Sequence, residues 1–156
     1  MALHKIGAVA IPATNLLLKS DFEYRFKAGN VDAILCTADG PVSREVDKAC
    51  RSYKNLKVKI MVGASRKGWR SFNKEVKYFS SHFRRPHGEN AIHGDDPSIM
   101  FFTSGTTSYP KITTHNFKYP LGHYVTAKYW HQVDPDGIHF AISDTGWGKA
   151  CLLYTS

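Results

Sequence analysis

Cysteine is scarce in this chain of 156 residues: Cys36, Cys50 and Cys151 stand far apart, with no CxxC spacing and an odd count. Such usage excludes a disulfide framework and a structural zinc site, and it suits a reducing compartment, with the cytoplasm as the expected setting. Long apolar runs are missing too. No stretch approaches the roughly 20 apolar residues that a membrane-crossing helix needs. The first twelve residues also lack the basic leader and small-residue cleavage site of a secretion signal, and Pro12 follows directly on the apolar run. Eight histidines occur, but none lies in an HExxH or comparably dense ligand spacing, so no metal site is expected. Acidic residues are the minority, 13 against 21 Lys and Arg, leaving a formal charge of +8. A surplus of that size attracts polyanions, whether nucleic acid or phosphate-rich small molecules.

What is present is a chain for one core. Apolar residues make up 42%, enough to exclude a disordered or collagen-like chain. Apolar β-like runs alternate with amphipathic stretches, the pattern of an α/β fold with crossover helices. Strands are predicted over residues 7–13, 31–37, 58–62, 98–103 and 138–143. Helices are predicted from Ser20 to the stop at Gly29-Asn30, and over 43–51, 71–81 and 117–131. Ser20 and Glu23 have the spacing of a capping box, and Phe72, Val76 and Phe79 fall at helical spacing. Residues 85–97, rich in Pro, Gly, His and Asp, read as a surface connection, and Asp134-Pro135-Asp136-Gly137 as a turn.

The densest basic stretch holds Arg66, Lys67, Arg70, Lys74, Lys77, Arg84 and Arg85, interleaved with Trp69, Phe72, Tyr78, Phe79 and Phe83. It reads either as a solvated helix face or as a single-strand-binding surface. No RNP1 run or GXXG loop accompanies it, so nucleic acid is not the favoured partner. The second reading would make the chain a non-catalytic nucleotide- or nucleic-acid-binding basic module.

The chemistry concentrates in Phe101-Phe102-Thr103-Ser104-Gly105-Thr106-Thr107-Ser108-Tyr109-Pro110-Lys111. A predicted strand delivers small hydroxyl residues, a glycine and then a lysine. Backbone N–H groups and hydroxyls in such a loop can surround phosphate oxygens while the ammonium supplies charge. It is not a Walker loop, because the second glycine and the Ser or Thr after the lysine are absent. Nor is there a G-x-S-x-G elbow that would make Ser104 a hydrolase nucleophile.

This run resembles the phosphate loop of the adenylate-forming superfamily, Ser/Thr-Ser-Gly-Thr-Thr-Gly-x-Pro-Lys. Three further stretches resemble acyl-CoA synthetases, and the last two the medium-chain subgroup: Gly7–Thr14; His115-Asn116 with Tyr119–His123 and Val125–Trp130; and Asp144-Thr145-Gly146-Trp147-Gly148-Lys149-Ala150. The resemblance implies that residues 1–150 are part of the large N-terminal domain of an adenylate-forming enzyme, with mixed sheets and crossover helices. It further implies a ligase of fatty acid metabolism that uses ATP, Mg2+ and coenzyme A. A carboxylic acid attacks the α-phosphate of ATP to give an acyl-adenylate, and the coenzyme A thiol then displaces AMP.

By the family pattern Ser104, Gly105, Thr106, Thr107, Ser108 and Lys111 contact the ATP phosphates. Asp144, Thr145, Gly146 and Trp147 shape the acyl or adenylate pocket, although Trp147 reads equally as a core aromatic. His123 reads as a packed histidine or one that approaches substrate. No catalytic residue is assigned here: the family's adenine- and ribose-binding motifs and its C-terminal domain with the adenylation lysine are not among these residues, so this chain alone is expected to be inactive. Both ends read as interrupted. Cys151-Leu152-Leu153-Tyr154-Thr155-Ser156 is what a common sequencing-library transposon end, TGT CTC TTA TAC ACA TCT, would encode, so residues 151–156 are expected to be a non-native tail.

One position departs from the family: serine stands at 108 where the pattern has glycine. If that position requires a left-handed φ, a side chain costs about 1–2 kcal/mol. Ser108→Gly in the full-length enzyme is therefore expected to raise the rate of ATP-dependent acid activation; unchanged or lower turnover would count against this role for the loop.

Overall fold

The computed structural model describes residues 2–103, 109–134 and 136–138, together with Phe140, Ile142, Asp144 and Gly146. The chain divides into two compact units, one of Met1–Thr14 with Arg84–Ser156 and one of Asn15–Phe83. The first opens with a single helical turn, α1 (Ala2–Lys5), and Gly7 at φ +72°. The strand predicted over 7–13 contracts to one residue. Ala10 forms a parallel bridge with Ile99, its N–H donating to the Ser98 carbonyl at 2.9 Å while its own carbonyl accepts from Met100 N–H at 2.9 Å. The reason is local: Gly7 turns left-handed on one side, and Pro12 has no N–H to extend a ladder on the other.

Residues 15–83 build an α/β layer. Helix α2 (Lys19–Ala28) buries Phe22 and Phe26, one turn apart on one face. Its N-terminus is tied by Asp21 rather than by the Ser20–Glu23 box: the Leu18 N–H donates to Asp21 Oδ2 at 2.9 Å. Glu23 instead accepts from Ser52 Oγ at 2.5 Å and pairs with Lys19 at 3.4 Å. Gly29 caps the helix, donating to the Arg25 carbonyl at 2.9 Å, and Asn30 turns left-handed at φ +46°.

Strand β1 (Ala33–Thr37) follows, then the crossover helix α3 (Val42–Ala49) and strand β2 (Val58–Val62). The two strands are parallel and in register from Ala33–Val58 to Thr37–Val62. The two-residue β3 (Arg70–Ser71) extends the sheet in parallel beside Ile60 and Met61. Val42, Val46 and Ala49 at i, i+4 and i+7 turn one stripe of α3 inward onto Met61, Phe22, Phe26, Leu17 and Trp69, and this cluster is the core. Phe26 and Tyr53 meet at 5.6 Å between ring centroids, and the Tyr53 hydroxyl donates to the Val31 carbonyl at 3.1 Å. Burying each such side chain contributes about 1.5–3 kcal/mol.

The helix predicted over 71–81 is shorter: α4 (Phe72–Glu75) passes into a 3-10 turn at Val76–Tyr78. Phe72, Val76 and Phe79 are at the predicted spacing but remain 42%, 47% and 68% exposed. Without burial of that stripe nothing sustains a longer helix. The basic stretch is also not a uniform exposed face. Trp69 is core, Arg66 is ion-paired with Asp47 at 2.8 Å, and Arg70 is paired with Glu75.

After the connection over 85–97, which carries a 3-10 turn at Gly88–Asn90, comes β4 (Pro97–Thr103). An unpredicted strand, β5 (Lys111–Asn116), returns antiparallel to it. The helix predicted over 117–131 begins two residues later as α5 (Tyr119–Val125), with Pro120 in its first turn, and widens into a π turn at Thr126–Trp130. The turn at Asp134 forms, the Gly137 N–H donating to the Asp134 carbonyl at 3.0 Å. The strand predicted over 138–143 does not appear among its described residues: Ile138, Phe140 and Ile142 are exposed and unladdered. Apolar alternation makes a strand only where a neighbour offers an edge. His139, Ala141 and Ser143 lie outside the described residues. The architecture is that of an α/β chain with parallel and antiparallel sheets.

One carboxylate ties three elements of residues 15–83 together. Asp47 on α3 accepts from Lys59 Nζ of β2 at 2.7 Å, Arg66 Nε at 2.9 Å and Trp69 Nε1 at 3.0 Å. Burial alone would push its pKa upward, but the three donors outweigh it and hold the carboxyl below the usual value. A depressed folded-state pKa means that the stabilisation is complete above the unfolded-state value and is lost as pH falls through the folded one. Asp47→Asn is expected to cost about 1–2 kcal/mol at pH 7 in urea denaturation, and the gap to the unsubstituted protein should narrow progressively as the pH falls below about 4. A gap that does not change between pH 7 and the onset of acid unfolding would show that charge is not what holds these segments.

Candidate functional site

The hydroxyl-rich run Ser104, Gly105, Thr106, Thr107 and Ser108 lies outside the described residues, but both of its anchors are described. The β4–β5 ladder pairs Pro97 with Asn116 and runs to a last pair, Thr103 opposite Lys111. The Thr103 hydroxyl also donates to the Lys111 carbonyl at 3.3 Å. The segment 104–110 is thus the connection of a β-hairpin. Lys111 opens the returning strand, its backbone fixed by the ladder and its side chain exposed. Strand β4 is itself fixed by Ile99 and Phe101, both 6% exposed, and by Ala10 on its other edge.

Beyond Lys111 the hairpin leads into an aromatic stack. Ser98, 2% exposed, donates through Oγ to the His115 carbonyl at 3.2 Å. The His115 ring stacks on Tyr119 at 3.6 Å with 18° between planes, and Tyr119 meets His123 edge-on at 4.5 Å. Residues 119 and 123 are one helical turn apart, so α5 presents both rings to the end of β5. Asp95 completes this edge, accepting from Lys118 Nζ at 2.7 Å and from Asn116 Nδ2 at 3.4 Å. A cavity of about 500 Å³ opens beside Asp95, His115, Lys118 and Tyr119. Burial, and then the neighbouring His123, lower the His115 pKa; burial raises that of Tyr119. His123 is therefore part of this stack.

The second expected constellation is partly described. Asp144 accepts the Gly146 N–H at Oδ1 (2.7 Å), a short carboxylate-braced turn, and the Thr14 hydroxyl at Oδ2 (3.0 Å). Thr145 and Trp147 lie outside the described residues. The structure places Lys111 at the hairpin and Asp144 and Gly146 at this turn. Two features were missed by sequence reasoning. β5 carries only Ile112 as an apolar residue, and its remaining signal is the β-branched run Ile112-Thr113-Thr114. The Thr14–Asp144 contact joins residues 130 apart, with no local signal.

The fold matches those of solved acid–thiol ligases. A Brucella canis acyl-CoA synthetase superposes with a TM-score of 0.77 at 20% identity, over 96% of this chain and 26% of that one. The anthranilate CoA ligase AuaEII, in complex with anthranoyl-AMP, gives 0.70 at 21% identity, over 80% and 23%. The family model described as AMP-binding enzyme matches residues 1–154, and the chain belongs to that family. Among curated relatives, the human mitochondrial acyl-coenzyme A synthetase ACSM3 is 32% identical over 153 residues, which are 96% of this chain and 25% of the relative. Human mitochondrial ACSM5 is 32% identical over 152 residues, 96% and 25%, and Rattus norvegicus mitochondrial ACSM4 is 30% identical over 154, 97% and 26%. The chain spans about a quarter of the length of the curated relatives it matches.

The histidine pair supplies a direct test of the stack. In an NMR titration His115 is expected to titrate below the ordinary histidine value of 6.5. His123→Gln removes a neighbouring positive charge and should move that midpoint upward. An unmoved His115 midpoint would separate the two rings in solution.

Proposed function

We propose that this chain is the phosphate-binding segment of an AMP-forming, medium-chain acyl-CoA synthetase. The observation that carries the reading is the hairpin: in a chain of the AMP-binding family, the loop of family phosphate-binding sequence is closed by a ladder that puts Lys111 opposite Thr103. Acid activation develops negative charge on phosphoryl oxygens as the carboxylate attacks the α-phosphate and pyrophosphate leaves. Aimed N–H, O–H and ammonium donors stabilise that charge most when they are already in place. Ser104, Gly105, Thr106, Thr107 and Ser108 would offer backbone and hydroxyl donors to the β- and γ-phosphates, and Lys111 the ammonium. Magnesium accompanying the triphosphate would supply further positive charge against the phosphate oxygens.

In the second half-reaction the coenzyme A thiol attacks the acyl-adenylate carbonyl and AMP departs. Asp144, Thr145, Gly146 and Trp147 are proposed to shape the pocket in which the acyl-adenylate sits. The substrates are thus a carboxylic acid, ATP and coenzyme A. Among the described residues no helix is long and apolar enough to cross a membrane. Cysteine usage favours a reducing setting such as the cytoplasm, while the named relatives are mitochondrial. The 1–150 segment is proposed as the native part and 151–156 as the appended tail. Turnover is assigned to the full-length protein.

Acid-dependent ATP–pyrophosphate exchange by the full-length protein tests the proposal. Lys111→Ala is expected to lower that exchange by about 10²–10³-fold. Exchange that survives the substitution undiminished would remove Lys111 from the phosphate site. Tight, steeply salt-dependent oligonucleotide binding with no exchange would favour a nucleic-acid-binding module.

A further inference from the structure

The contact between Thr14 and the Asp144 turn has no counterpart in the roles assigned so far. Thr14 follows the bridged residue Ala10 and Pro12, on the segment whose backbone is pinned to β4. Its hydroxyl donates to Asp144 Oδ2 at 3.0 Å. The other carboxylate oxygen, Oδ1, accepts the Gly146 N–H at 2.7 Å. Asp144 therefore uses one oxygen to close its own turn and the other to fasten that turn to residue 14.

Gly146 shows how close the approach is. A Cβ there would lie 2.9 Å from the Thr14 amide nitrogen, 3.1 Å from Asp144 Oδ1 and 3.4 Å from the Ala13 carbonyl carbon. The first distance falls on backbone, which cannot swing aside as the end of a flexible side chain can. Glycine is needed here for close passage rather than for a left-handed φ. Hydroxyl, carboxylate and missing side chain together hold two segments against each other, and Trp147 is the next residue along the chain.

We propose that Thr14 is a positioning residue: by clamping Asp144 and seating Gly146 it fixes the turn proposed above to shape the acyl-adenylate pocket. The inference rests on the acyl-CoA synthetase reading and deepens it, because it gives Thr14, the last residue of the Gly7–Thr14 stretch, a part in positioning the acid-binding turn. The backbone of Thr14 is tied through Ala10 to β4, so the clamp refers the turn to the strand that carries the phosphate loop at its far end. Acid and triphosphate sites then share one frame, as in-line attack on the α-phosphate requires.

The full-length protein carrying Thr14→Val, Thr14→Ser or Gly146→Ala tests this. Valine keeps the shape of threonine and removes the donor. In Thr14→Val the KM for the carboxylic acid should rise about tenfold, the loss of one charge-assisted hydrogen bond. The KM for ATP should stay within about twofold, and Thr14→Ser should restore most of the loss. Gly146→Ala should act in the same direction as Thr14→Val. Independently of activity, amide exchange in the peptide spanning 144–146 should quicken in Thr14→Val and return towards the original rate in Thr14→Ser. Unchanged exchange would show that no clamp exists. Equal rises in both KM values, or a fall in melting temperature that tracks the loss, would reduce Thr14 to a general structural role and overturn the proposal. A full-length protein without acid-dependent exchange activity would instead sink the synthetase reading and the acid-binding role with it, while the amide exchange still reports whether the clamp exists.

Discussion

The pairing of Pro97–Thr103 with Lys111–Asn116 is the constraint on which the candidate site depends. A ladder that ends at Thr103 and Lys111 holds the two ends of the loop at the spacing of a strand pair, about 5 Å between facing Cα atoms. What lies between them need supply only donors. The ladder is supported from both edges of β4, by β5 on one side and Ala10 on the other, while Ile99 and Phe101 anchor it in the interior. A lysine on the first ladder residue has its backbone fixed, so only its side-chain torsions remain free. For the phosphate site proposed here, that arrangement would lower the conformational cost of binding.

The two units use their few carboxylates in the same way. In residues 15–83 the acidic groups are largely occupied in holding the fold: Asp47 gathers Lys59, Arg66 and Trp69, Glu23 takes Ser52 and Lys19, and Glu75 takes Arg70. The rarity of acidic residues read from composition is thus felt locally, with single carboxylates serving several donors. In the other unit Asp144 likewise serves both its own turn and Thr14.

Much of the fold was legible because its signals are local. Strands β1 and β2 are short apolar runs ended by turn residues, with Gly63 at φ +86° directly after β2. Helix α3 shows its buried stripe at i, i+4 and i+7. Errors arose where the outcome depends on distant partners. Ser20 and Glu23 form a plausible box, yet Asp21 lies nearer to the free Leu18 N–H, and Ser52 draws Glu23 away. The run Lys111–Asn116 is too polar to show an apolar period, and it becomes a strand because β4 offers it an edge. At the site, residue types and order were readable from the motif. That its loop is a hairpin, and that Thr14 touches the Asp144 turn, were not, since both facts depend on pairing between separated segments.

The lone bridge between Ala10 and Ile99 also bears on how the chain is made. Residues 15–83 are contiguous, so their core can close as soon as they leave the ribosome, and domains commonly fold in this vectorial way during synthesis. Residues 2–14 have no such option. Their partner strand is translated only after the whole intervening unit, and at about 5–20 residues per second that delay lasts on the order of seconds. During that interval Ile6, Ala8, Val9 and Ile11 travel with the nascent chain as an unpaired apolar segment. Factors that bind emerging apolar segments would hold this stretch, and its release would report that β4 has arrived.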